Sequence, residues 1–154
     1  EDAITSLLYC SDHGEDLLDD QRRRFLHASP SPTYYQLKVP LFIWLSDSYV
    51  KEHPEKINAA KKNRDYAVAT NSIYHTLLDI ANIRTKNTIK ELSLVSAEFK
   101  QQPRNYLNDH DQPIPYQKMN LKKEDFLLIK KNNNCRYCSC YLSKSFFCKR
   151  GHIY

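Results

Sequence analysis

The feature that most constrains this chain is a short apolar run that ends on chemically reactive residues. Thr5 to Cys10 reads as a buried strand, and residues 9 to 15 continue as Tyr-Cys-Ser-Asp-His-Gly-Glu. Asp12 and His13 therefore stand side by side where the strand ends. A carboxylate and an imidazole in that position can share one divalent cation with little further arrangement. Gly14 lets the backbone turn sharply and approach a ligand or another backbone closely. The plainer alternative is a surface turn in which Asp12 caps the backbone and His13 is solvated, and a bare tripeptide does not decide between the two.

Further stretches bear on that choice. They are Leu-Leu-Tyr-Cys-Ser-Asp-His-Gly-Glu (7 to 15), Phe-Leu-His-Ala (25 to 28), Gln-Leu-Lys-Val-Pro-Leu-Phe-Ile-Trp (36 to 44), Ser-Ile-Tyr-His-Thr-Leu-Leu-Asp (72 to 79) and Arg-Asn-Tyr-Leu-Asn-Asp (104 to 109). In this order and spacing the chain, from Thr5 to about Lys118, resembles the C-terminal part of the phosphoethanolamine transferase and sulfatase-like branch of the alkaline phosphatase superfamily. That branch includes the lipid A phosphoethanolamine transferases.

The resemblance implies a C-terminal portion of an alkaline phosphatase-like three-layer α/β/α sandwich, with Thr5 to Cys10 as a central strand. It implies that Asp12 and His13 are zinc ligands and that His27 contacts the transferred phosphoryl group or a second metal ion. The threonine nucleophile and the other acidic ligands of the family lie upstream of the matching segment, so no catalytic nucleophile is expected here. Because Glu1 is not an initiator methionine, a C-terminal piece of a longer protein is the expectation. Two ligands leave zinc short of its usual three or four, so this chain alone is expected to bind zinc weakly and turn over no ester. The implied reaction moves phosphoethanolamine from a phospholipid donor to a lipid A or other glycan acceptor. The implied setting is a bacterial inner membrane with the catalytic domain in the periplasm. Two alternatives stay open: sulfatase-like hydrolysis of sulfuric or phosphoric esters, and a non-catalytic metal-binding or interaction fragment.

Composition narrows the classes. The 154 residues are 41% hydrophobic with a mean hydropathy of -0.68, enough for one domain or a portion of a larger one. No run of about 18 apolar residues marks a membrane span, and no signal peptide is evident. Membrane attachment, if the family is a guide, would come through segments absent from this chain. The net charge of +5 is spread among acids, without the concentrated basic face that nucleic-acid binding prefers.

Local patterns place the remaining elements. Lys38 to Leu45 reads as a second strand, with Pro40 near its start. Between the strands, Gly14 to Tyr35 is a long connection, expected to form the rim of the site. Its Arg22-Arg23-Arg24 run could clamp an anion, although charge runs are more often solvated faces. His53-Pro54 opens a helix through Lys61 or Lys62. Thr70 or Asn71 caps another to about Ile83, with Ile73, Leu77, Ile80 and Ile83 as its apolar stripe. His75, off that stripe, is expected to be structural, and His53 and His110 are read as surface or packing residues. Pro103, Pro113 and Pro115 favour extended or turn backbone around a short strand at Tyr106-Leu107.

Residues 1–120 are thus expected to be catalytic-domain material, and 121–154 a short helix from Leu121 to Lys131 followed by a cysteine-rich tail. Cys135, Cys138, Cys140 and Cys148, with His152, have the ligand types of a structural zinc site, but the central interval is short and one thiol is surplus. Disorder, or disulfides in the extracytoplasmic compartment the family implies, is preferred. Cys10, ending a strand, is expected to be a packing residue and not a nucleophile.

Overall fold

A computed structural model describes residues 3–27, 31–107 and 112–133. The cysteine tail and His110 lie outside the described residues. The elements run β1 (Ser6–Cys10), β2 (Asp16–Leu17), β3 (Phe25–Leu26), α1 (Tyr34–Leu37), β4 (Leu41–Leu45), α2 (Asp47–Glu52), α3 (Pro54–Asn63), α4 (Asn71–Ile80), β5 (Asn105–Leu107), β6 (Pro113–Pro115) and α5 (Lys123–Asn133). The mixture of helix and strand expected from the sequence is present.

β1 and β4 form an antiparallel ribbon in which Ser6 faces Leu45 and Cys10 faces Leu41. Among the described residues β1 has no other partner, so the central position expected for it is not built by this chain alone. One face of the ribbon packs on the core. Ile43 and Leu45 are fully buried, joined by Tyr49, Ile57, Ala60, Ile80, Leu94 and Val95. The other face leaves Leu7, Tyr9 and Trp44 exposed.

The helices follow their caps. Ser46 caps α2 by accepting the Tyr49 N–H at 3.2 Å, and Pro54 opens α3 at a position where its missing N–H costs nothing. The sequence expectation for α3 holds to within one or two residues, the helix ending at Asn63, whereas α2 was not foreseen. It is only six residues long and carries no apolar period.

α4 corrects the predicted stripe. Leu77 and Ile83 are exposed, and the buried side consists of Ser72, His75, Thr76 and Ile80. The rotation comes from hydrogen bonds to the segment that covers the helix. Thr76 Oγ1 donates to the Ser72 carbonyl at 2.7 Å and accepts the Leu94 N–H at 3.0 Å, while His75 Nδ1 accepts the Ile89 N–H at 3.1 Å. Polar side chains satisfied in this way can be buried in preference to an apolar neighbour. His75 is structural, as expected.

The long connection from Gly14 to Tyr35 is not structureless. It folds into a hairpin with Asp16 opposite Leu26 and Leu17 opposite Phe25. Within it Leu18, Arg23 and Leu26 stand at φ of 64°, 50° and 65°, a left-handed region costing an L-residue roughly 1–2 kcal/mol. Such strain persists only where surrounding contacts impose it. One such contact is Arg22, which donates to Asp20 Oδ2 at 2.8 Å and to both oxygens of Asp125 at 2.7 and 2.9 Å. Asp125 also accepts the N–H of Tyr34 at 2.9 Å and of Lys122 at 3.2 Å, pinning α5 to the hairpin.

Candidate metal centre at the end of β1

The carboxyl end of β1 delivers Asp12 and His13 together. Ser11 closes the strand by donating from Oγ to the His13 carbonyl at 2.8 Å. Asp12 Oδ1 accepts the His13 N–H at 3.0 Å, a backbone hydrogen bond that is the leading cause of the lowered Asp12 pKa. Its carboxylate is held ionised at the surface, with the side chain 86% exposed. Oδ2 lies 3.6 Å from His13 Nε2. Ligand atoms sharing a tetrahedral zinc lie about 3.4 Å apart, given metal–ligand bonds of roughly 2.0–2.2 Å.

The tautomer of His13 is assigned from its partners. Nδ1 faces the Gly14 carbonyl at 3.1 Å, an acceptor, so Nδ1 carries the proton and the Nε2 lone pair turns towards Asp12. A backbone carbonyl on the far nitrogen is the usual device that orients a ligating histidine.

The hairpin then brings up two more donors. His27 Nδ1 lies 2.6 Å from Glu15 Oε1, the His13 and His27 rings lie 3.8 Å between centroids, and Glu15 Oε1 is 3.5 Å from His13 Nδ1. His13, Glu15 and His27 offer donor atoms all within 4.8 Å of one another. Glu15 Oε2 is buried with no hydrogen-bond partner, an unusual state for a carboxylate oxygen and one that a nearby cation would relieve. His13, Glu15 and His27 supply two imidazoles and one carboxylate, donor types that suit zinc, and Asp12 stands beside them at His13 Nε2.

Of the three residues singled out in the sequence, His13 and His27 meet in this cluster and Asp12 stands beside His13. Glu15 was missed, although it stands two residues after His13 in the same heptapeptide. Its participation depends on the hairpin that folds His27 back, which spacing alone does not reveal. Two of the three arginines in the run are engaged elsewhere: Arg22 in its carboxylate pairs, and Arg24 with the Ser31 carbonyl at 2.5 Å and Asp16 at 3.7 Å. Cys10 has its thiol pKa raised by burial and then by Asp12, the opposite of an activated nucleophile.

Beside the centre opens a cleft of about 520 Å³, lined among others by Asp12, His13, Tyr34, Lys38, Arg104 and Tyr106. It has the size of a small-molecule site. Among the described residues no helix is long and apolar enough to cross a membrane.

The chain is 28% identical over 119 residues to phosphoethanolamine transferase CptA of Salmonella typhimurium, covering 71% of this chain and 20% of the relative. It is 34% identical over 86 residues to phosphoethanolamine transferase EptA of Escherichia coli K12, covering 53% of this chain and 15% of the relative. The chain therefore spans a fifth or less of the length of these curated relatives. Among solved structures, the C-terminal periplasmic domain of EptC from Escherichia coli superimposes with a TM-score of 0.63 at 24% identity, over 74% of this chain and 32% of that domain. The same domain solved as a complex with Zn matches equally. The shared fold is α/β, and this chain matches a portion of the larger unit. The sequence profile of the sulfatase family matches residues 1–83, more than half of the chain, so the chain belongs to the sulfatase family and, within it, is similar to the phosphoethanolamine transferases.

Proposed function

We propose that this chain supplies part of the metal centre of a zinc-dependent phosphoethanolamine transferase, moving phosphoethanolamine from a phospholipid to a lipid A or other glycan acceptor. The observation that carries it is the cluster of His13, Glu15 and His27 after β1, with Asp12 beside His13 Nε2, in a chain whose relatives are named phosphoethanolamine transferases. The zinc complex of the EptC domain supports zinc as the metal.

Asp12 Oδ2 and His13 Nε2 hold the metal, and Glu15, on the Nδ1 side of His13, orients that imidazole together with His27. When bound, zinc activates a hydroxyl nucleophile and offsets charge on the non-bridging oxygens. His27, held through Nδ1 by Glu15, presents Nε2 towards the transferred group and donates a hydrogen bond or proton there. The nucleophile and remaining ligands come from an upstream part of the same protein. Membrane attachment comes from outside this chain, and the catalytic domain faces the bacterial periplasm. Sulfatase-like ester hydrolysis is the second reading, favoured by the family profile that covers residues 1–83.

In the complete protein, Asp12→Ala and His13→Ala are expected to lose zinc on gel filtration in a weak chelator and to abolish transfer to the lipid acceptor. Wild-type zinc content in either variant would overturn the assignment. His27→Ala is expected to slow transfer by roughly 100-fold, and steady-state kinetics with a defined phospholipid donor read it directly.

A further inference from the structure

Glu15 is flanked by two residues that are both gripped by Gln36. The Gln36 backbone carbonyl accepts the Gly14 N–H at 2.9 Å, and its side-chain Nε2 donates to Asp16 Oδ2 at 2.5 Å. The other Asp16 oxygen accepts Thr33 Oγ1 at 2.5 Å, and Arg24 Nε stands 3.7 Å from Oδ2. Asp16, Thr33 and Gln36 are all buried, at 3%, 0% and 9% exposure. The approach is so close that a Cβ on Gly14 would lie 1.9 Å from the Tyr35 carbonyl oxygen. None of these side chains reaches a donor atom of the metal centre. Their bonds clasp the backbone on either side of the one carboxylate that meets both imidazoles.

We propose that Asp16, Thr33 and Gln36 form a latch that positions Glu15, and through it His27, in the metal centre. A buried carboxylate with polar partners on both oxygens is rotationally fixed, and desolvation makes each of its hydrogen bonds costly to lose. Fixing Asp16 fixes the backbone of Glu15 from its C-terminal side, while the Gly14 bond fixes it from the N-terminal side. The side chain between them has one oxygen on His27 and the other buried without a partner. That carboxylate is held in place before a metal arrives. The latch is thus a positioning device, two steps removed from the ion. It rests on the metal reading above and adds to it residues that act on the centre through Glu15.

The test is a mutant cycle in the complete protein, with zinc affinity measured by chelator competition. Outer residues that orient ligands change metal affinity by about 10–100-fold, so Thr33→Val and Gln36→Leu are each expected to weaken zinc binding at least tenfold. Thr33→Ser, which keeps the hydroxyl, is expected to restore it. In a Glu15→Gln background the same Thr33→Val change is expected to shift affinity less than about twofold, because residues acting through one another are not additive. Equal losses in both backgrounds, or no loss in either, would overturn the latch. Should Gln36→Leu fail to fold, Gln36→Glu keeps the shape and sets a second carboxylate against Asp16; unchanged zinc affinity there would also sink the proposal. His13→Ala separates the two ideas. If it retains wild-type affinity, the metal reading fails and the latch with it. If it loses affinity while Thr33→Val does not, the latch alone fails.

Discussion

Gly14 shows how one residue can decide whether a site exists. Its φ is not positive, so left-handed backbone is not the reason for a glycine. The reason is contact: the space a Cβ would occupy holds the Tyr35 carbonyl, at 1.9 Å. Gly14→Ala is therefore expected to force the turn after β1 away from α1 at a cost of about 1–3 kcal/mol, in the range of overpacking substitutions, read as a lower urea midpoint with an unchanged m-value. Asp12 and His13 were legible in the sequence because adjacency alone brings them together. Glu15 was not, since its role depends on a partner twelve residues away along the chain. Tyr49 makes a related point within the core. Its pKa is pushed up to about 12, by burial first and then by Asp79 and Glu55, and its hydroxyl donates to the Ile80 carbonyl at 2.7 Å. Periodicity marks such a residue as apolar and misses the hydrogen bond that makes its burial tolerable.

Among elements, β1, β4 and α3 were readable from apolar runs and a proline start, while the buried face of α4 was not. The difference is physical. A helix whose apolar and polar sides compete for burial is oriented by whatever covers it, here the segment from Thr88 to Val95, and a hydrophobic count cannot see hydrogen bonds across that seam. The hairpin was hidden for a similar reason: two-residue strands carry no period, and this one is tied by Arg22 to α5. Burial opposes ionisation of Asp125, but the hydrogen bonds from Arg22 and from the Tyr34 N–H outweigh it, and its pKa is lowered. Asp20 is lowered too, first by Arg22. A folded pKa below the unfolded one stabilises the fold above the unfolded value of about 3.9 and loses that contribution as pH falls through the folded pKa. Acid titration of stability is expected to show this loss below about pH 4, and to show less of it in Asp125→Asn. At neutral pH that variant is expected to cost about 3 kcal/mol, since it leaves a buried pair broken, measurable by denaturant unfolding.

At the scale of the molecule, one ribbon carries both the site and an unfinished surface. β1 pairs only with β4 among the described residues, and Leu7, Tyr9 and Trp44 remain 54%, 47% and 41% exposed. An exposed apolar strand edge invites pairing with another chain. The isolated 154-residue chain is expected to self-associate in sedimentation velocity, and Leu7→Lys to reduce that association without shifting the thermal unfolding midpoint of the monomer. The fold class could be read because its strands are apolar and its motifs occur in order. The unfinished edge could not, because a strand buried by missing neighbours and one left bare have the same sequence. The bond from Arg22 to Asp125 spans 103 residues, which gives it a meaning in time. A ribosome adding roughly 5–20 residues per second leaves the newborn hairpin waiting on the order of 5–20 seconds for its second carboxylate. During that interval the hairpin bearing His27 has its arginine and Asp20 but not its second carboxylate.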